Sequence, residues 1–205
     1  MPNNPYIPIV EKDPDIISNL EDIYSKKKWS KYFNNNDIYL EITGLGNFFS
    51  RETFENPDIN YIMEIKFKRL FKSAEKSRSL SKNFVLIKDF QNIDKIFQKE
   101  EIKQTYIFFP DPWNKNRQKK HRLFQKDFIE KLYFITKKKV IFKTDHLEYF
   151  NTTLDLFKDF KWETLNLSYD YEKETDKFDS KKLTEFEAIF RKDRLKINYV
   201  EFIKK

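Results

Sequence analysis

The 205-residue chain is long enough for one sizeable α/β core and short for two comfortable domains, and its 22 Phe and 11 Tyr exclude a disordered polyelectrolyte despite 36% charged residues. A net charge of +7 points to a polyanionic partner. The absence of Cys excludes disulfides and thiolate metal sites and fits the cytosol, and two His are too few for a His-based metal cluster.

The N-terminal stretch MPNNPYIPIVEKDPD has no basic region followed by an apolar one, so it does not read as a signal peptide, and no apolar run reaches the roughly 18 residues of a membrane span. The first element predicted is a helix in DPDIISNLEDIY, with Asp13 as cap, Pro14 in the first turn, and Ile16, Ile17, Leu20 and Ile23 on one side. A strand follows at 37–42, a turn at TGLG, a helix at NFFSRETFEN stopped near Pro57, and a second strand at 60–65. Helical spacing then appears at Phe67, Leu70 and Ala74. NFVLIKD (83–89) is a third strand, IDKIFQKE a short helix, and QTYIFFPD (104–111) a fourth strand.

After a basic loop, RLFQKDFIEKLYFI spaces Leu123, Phe124, Phe128, Leu132 and Ile135 as a helix. KKVIFKTD (138–145) is a fifth strand, LEYFNTTLDLFKDF a helix, and KWETLNLSY an alternating strand. A polar connection leads to the helix TEFEAIFRKD and the final strand KINYVEFI. Short apolar runs alternating with helices predict one domain, α/β in class, with a mostly parallel sheet and helices on both faces over 37–205, preceded by a helical extension over 1–36.

Ligands of such sheets bind beyond the carboxyl ends of the strands. Glu41, Glu64, Asp89, Asp111 and Asp145 each fall at or beside one of the first five strand ends, more acids than helix capping alone asks for. Both glycines of the chain, Gly44 and Gly46, lie in the turn after the first strand, where a nucleotide-like cofactor approaches backbone most closely. Glu64, about twenty residues on, stands where an acid accepts from ribose hydroxyls. Without the fuller glycine pattern of a phosphate site, and with Glu41 beside the turn, a phosphate-free cationic cofactor such as S-adenosylmethionine fits.

The stretch FFPDPWNKNRQKKHR changes character halfway: Asp111 stands between prolines before Trp113, then Lys115, Arg117, Lys119, Lys120 and Arg122 place five cations in eight residues. Five segments in order, LEITGLGNFF, PDINYIMEI, FFPDPWNKNRQKKHRL, VIFKTDHLEYF and LTEFEAIF, resemble the bacterial tRNA (guanine-N7-)-methyltransferase family across residues 38 to 190. The resemblance implies a Rossmann-like class I methyltransferase fold, a mostly parallel seven-stranded sheet, with S-adenosylmethionine as cofactor and tRNA as partner. It implies cofactor contacts from Glu41, Gly44, Gly46, Glu64, Asp89 and Asp111, with Asp111 also catalytic. It implies substrate contacts from Lys115, Asp145, Thr184, Glu185, Phe186 and Glu187, and RNA contacts from Arg117, Gln118, Lys119, Lys120, His121 and Arg122. The first glycine of the family's E-I-G-x-G-x-G turn is missing from EITGLGN, and Asn114 replaces the proline after DPW.

Other readings stay open at this level. Trp113 either walls the site or belongs to the core, and Asp145 either binds substrate or caps the next helix. Thr184 and Glu187 have the spacing of a helix capping box as well as that of the family motif. Two rival functions remain. One is an amino-group methyltransferase, whose loop at this strand end carries two prolines after the acid. The other is an RNA-binding relative with a weakened cofactor turn.

Overall fold

The computed structural model describes residues 16–17, 29, 37–43, 52, 55–56, 58–64, 84–87, 90–177 and 184–205. Among these residues eight strands form one sheet: β1 (Ile16–Ile17), β2 (Ile38–Ile42), β3 (Asn60–Glu64), β4 (Phe84–Ile87), β5 (Ile102–Phe108), β6 (Thr136–Thr144), β7 (Trp162–Ser168) and β8 (Asn198–Lys204). Their order across the sheet is β1-β4-β3-β2-β5-β6-β8-β7. Pairing is parallel from β1 to β6, and β8 inserts antiparallel to both β6 and β7. Seven strands thus make the predicted mostly parallel sheet, and the two-residue β1 extends its edge. The helices are α1 (Ile93–Ile96), α2 (Lys126–Ile135), α3 (Leu147–Lys158) and α4 (Glu185–Lys192) among the described residues.

Burial explains the strand patterns. From Val140 to Thr144 every residue of β6 is buried, as a central strand covered on both faces must be. Its Phe142 meets Phe124 edge-on at 4.8 Å and stacks near Phe150 at 5.9 Å, tying the sheet to the segment before α2 and to α3. Each such aromatic pair adds about 0.5–1.5 kcal/mol beyond the area it buries. Nearer the β7 edge, Phe157 of α3 stacks on Phe202 of β8 at 3.8 Å. Trp29 packs on Phe97 at 5.4 Å, and its indole N–H donates to the Ile96 carbonyl at 3.1 Å.

Three sequence expectations change. Ile16 and Ile17 are not helical; these two β-branched residues pair with Leu86 and Ile87, covering the open edge of β4. The rest of the helix expected there, and the helix at Phe67–Ala74, lie outside the described residues. The helix expected from Arg122 starts only at Lys126, because Leu123 and Phe124 are drawn into the core and Gln125 is extended. The basic loop is instead a 3₁₀ turn over Asn116–His121.

Candidate active site

At the carboxyl edge of the sheet, β2 ends in Glu41 and Ile42. Glu41 is 1% exposed and stands opposite Met63 of β3 on one side and Tyr106 of β5 on the other. Thr43 follows with φ 68°, the left-handed region that a β-branched residue avoids. The chain therefore adopts, without the family's first glycine, a backbone conformation that glycine favours. β3 ends at Glu64, whose backbone pairs with Ile87. Gly44, Gly46 and Asp89 lie outside the described residues.

The neighbouring strand β5 stops at Phe108, earlier than expected. Phe109 turns away at φ 51° while its N–H still donates to the Lys143 carbonyl at 2.8 Å. Trp113, at the other end of the PDP segment, has φ 45°. Two bulky aromatics in the left-handed region bracket Asp111, and such conformations cost about 1–3 kcal/mol each and persist only where the surroundings impose them. Here the surroundings do. Phe109 is wedged 6.0 Å from Phe186 and 5.1 Å from Phe190 of α4. The half-buried Trp113 lies 5.6 Å from the His121 ring. Asp111 itself is exposed on this fixed loop.

Arg122 holds the loop from beneath. Its Nε donates to the Pro112 carbonyl at 2.8 Å, and its Nη1 donates to Glu148 at 3.2 Å and to Thr152 Oγ1 at 3.3 Å. A second hydrogen bond runs from Nη2 to Glu148, and the guanidinium lies 4.7 Å from the centre of the Tyr149 ring. Arg122 is only 6% exposed, so it is a brace for the loop and not the RNA-facing side chain expected from sequence. Lys115, Arg117, Lys120 and His121 are exposed, with Gln118 and Lys119 half-buried. Lys119 also meets Glu148, at 2.9 Å on the surface, where such a pair contributes little.

The bonds from Arg122 and Lys119 hold the Glu148 carboxyl down at about 2. A lowered carboxyl adds stability that is complete above its unfolded value, near 4.5, and is lost as pH falls towards 2. Because Glu148 is half exposed, Glu148→Gln is expected to cost no more than about 1 kcal/mol. Paired urea titrations of wild type and variant should differ by a constant midpoint from pH 7 to 5 and converge below it. A difference that persists unchanged at pH 2.5 contradicts the pairing.

On the next strand, Thr144 ends β6 and Asp145 follows it. His146, to which sequence assigned no role, caps α3 by accepting from the Tyr149 N–H at 3.1 Å, and its own N–H donates to Thr144 Oγ1 at 3.1 Å. The capping alternative for Asp145 is thereby taken by its neighbour.

Glu187 also departs from expectation. It is fully buried, with Oε2 accepting from Lys143 Nζ at 3.0 Å and Oε1 from Arg191 Nη2 at 2.7 Å. It is therefore an internal anchor of α4 and not a contact for substrate. Thr184 caps α4 by accepting the Glu187 N–H at 3.1 Å, as half of a capping box whose carboxylate has been diverted to Lys143. Phe186 is half-buried against Phe109, while Glu185 opens the helix. Lys143, absent from the sequence-derived site, is enclosed by Tyr171 at 4.0 Å, Phe108 at 5.1 Å and Tyr199 at 5.7 Å. Burial pushes its ammonium down to about 8 against the opposing pull of Glu187. The only sequence signal was a lysine inside the apolar run VIFKTD.

Residues 35–199 match a family model described as "Putative methyltransferase". The tRNA (guanine-N(7)-)-methyltransferase of Clostridioides difficile is 36% identical over 84% of this chain and 83% of its own length. The chain belongs to the tRNA (guanine-N(7)-)-methyltransferase family. A bifunctional glycosyltransferase/methyltransferase of Fusobacterium nucleatum is 37% identical over 87% of this chain, which spans only 29% of that longer protein. The crystal structure of a SAM dependent methyltransferase from Aquifex aeolicus shares the fold, with a TM-score of 0.53 over 97% of this chain and 98% of that one at 11% identity. Within this methyltransferase fold the strand order sets Glu64 and Glu41, on β3 and β2, and Asp111 and Asp145, just beyond the ends of β5 and β6, along one edge.

Proposed function

We propose that this protein transfers the methyl group of S-adenosylmethionine to N7 of a guanine in tRNA, in the variable loop by family resemblance. The observation that carries the reading is the Asp111 loop: an exposed carboxylate on a segment strained at both ends, one strand from buried Glu41 and directly followed by an exposed basic turn. The carboxylate-rich edge suits a cationic, phosphate-free cofactor, with Glu41, the turn at Gly44 and Gly46, Glu64 and Asp89 as its holding residues. That cofactor, when bound, supplies an electrophilic methyl on a sulfonium.

Guanine N7 carries an in-plane lone pair, so no proton has to leave before transfer. What this chain supplies is alignment and charge. Alignment falls to Lys115, Asp145 and the Thr184–Phe186 segment, which present the base in line with the methyl. As the bond forms, positive charge moves onto the purine, and Asp111 stabilises it, an oxyanion hole with its sign reversed. Asp111 also accepts from the guanine N1–H or amino group and so fixes the base. Arg117, Gln118, Lys119, Lys120 and His121 grip the RNA backbone next to the base. A tRNA substrate is met in the cytosol, so the protein is assigned to the cytoplasm. Incubation of unmodified tRNA with the protein and methyl-labelled S-adenosylmethionine tests the reading: label enters the tRNA, and its failure to do so under saturating cofactor refutes it.

The basic turn makes a separate prediction. Arg117→Ala/Lys120→Ala removes two exposed cations. The double variant should weaken tRNA binding, leave cofactor binding alone, and flatten log K against log salt by about 0.7–0.9 for each phosphate left without its cation. The effect should be similar for any folded tRNA, because phosphates carry no sequence. An unaltered slope would assign the turn to solvent.

A further inference from the structure

The roles assigned above leave one concave feature of the same edge almost unused. An open cavity of about 490 Å³ begins at Asp145, which lines it, and is bounded further by Leu147 and Asn151 of α3, by Tyr169 after β7, and by Leu195 and Lys196 before β8. Its size is that of a small-molecule or nucleotide site. Its floor is fixed, because Asn198 donates from Nδ2 to the Thr144 carbonyl at 3.0 Å.

Three large apolar side chains stand in water around it: Leu147 at 53%, Tyr169 at 47% and Leu195 at 44% exposure. A cluster of this kind at a concavity marks a binding site more often than a stray surface residue does. Tyr169 is not a loose side chain. Its ring meets the buried Phe150 edge-on at 5.5 Å, which sets the ring plane while almost half the residue remains accessible. Beside it, Arg191–Lys196 reads RKDRLK, four cations to one acid. Lys192, Arg194 and Lys196 of that segment are exposed.

Strand order places the cavity relative to the site. β7 is parallel to β6, since both pair antiparallel with β8, so Tyr169 leaves the sheet at the edge that carries Asp111 and Asp145. Strands lie about 4.8 Å apart, so β8 and β7 are roughly 10–15 Å from β5, on the side away from Glu41 and Glu64. Cofactor carboxylates, reacting base and this cavity therefore form a row.

We propose that the cavity holds a second nucleotide of the tRNA, beside the target guanine. Its base stacks on Tyr169 between Leu147 and Leu195, its edge meets the Asn151 amide, and its phosphate lies by Lys196. An aromatic plane with an apolar rim and one flanking cation is how proteins take an unstacked base. A protein partner would want the apolar rim but not the cation-rich segment next to it. The proposal rests on tRNA being the substrate.

The test uses the full chain and an unmodified tRNA transcript, with filter-binding affinity and steady-state transfer measured separately. Tyr169→Ala should weaken tRNA binding and raise the KM for tRNA about fivefold or more, with kcat and the S-adenosylmethionine Kd unchanged. Tyr169→Phe keeps the ring and should restore both values, whereas loss of folding would not be rescued in this selective way. Unchanged tRNA affinity in Tyr169→Ala overturns the proposal and leaves the rim to a protein partner. Equal losses in the alanine and phenylalanine variants overturn it too, since stacking needs only the ring. If wild type binds tRNA but transfers no methyl group, the functional reading fails, and the binding comparison still judges the cavity.

Discussion

Asp111→Asn is expected to fold as the wild type does and to lose about 10²–10³ of its turnover. Asp111 is exposed, and its loop is held on either side of it: Arg122 binds the Pro112 carbonyl, and Phe109 is pinned by Lys143 and α4. The amide keeps the shape and removes the charge. If transfer builds positive charge on the purine, the loss falls on kcat, since the interaction strengthens only in the transition state. The comparison is a single-turnover rate at saturating tRNA and cofactor, with thermal unfolding as control. A variant within threefold of wild type makes the carboxylate a scaffold group.

Lys143→Met is expected to have the largest effect on stability. Removing one partner of a buried ion pair leaves the other charge desolvated and costs about 3–5 kcal/mol. Here Glu187 keeps Arg191, which sets the loss towards the lower end of that range. The pair ties α4 to β6 beside Asp145, so Lys143→Met should also disturb Phe109 and with it the Asp111 loop. Lys143→Met/Glu187→Leu removes both charges and should recover much of the stability, because a buried pair is often no better than apolar residues of similar volume. Urea unfolding of the two variants measures this. A single variant within 1 kcal/mol of wild type contradicts the buried pair.

Much of this was legible in the sequence for identifiable reasons. The parallel strands announce themselves as short apolar runs because both their faces are covered, and Val140–Thr144 is the clearest case. The acids at strand ends and the basic turn follow from local spacing alone. What the sequence hid is what distant segments impose on one another. Arg122 reads as one more cation of a run until Glu148, 26 residues away, is seen to claim it. Glu187 reads as capping box or base contact until Lys143, 44 residues away, takes its carboxylate. Ile16 and Ile17 fit a helical stripe, and only the free edge of β4 makes a strand of them. Tyr169 gives no local signal either, since its significance comes from β7 emerging at the edge that bears Asp145.

Everything proposed for the site turns on the identity of the modified atom, which nucleoside analysis of the product reveals. Unmodified tRNA incubated with the protein and S-adenosylmethionine is digested to nucleosides and separated by mass spectrometry. The expected product is 7-methylguanosine, formed by wild type and reduced at least about a hundredfold in initial rate by Asp111→Asn. Methyl groups found only on an exocyclic amine or on adenosine, or no methylated nucleoside at saturating cofactor, would contradict it.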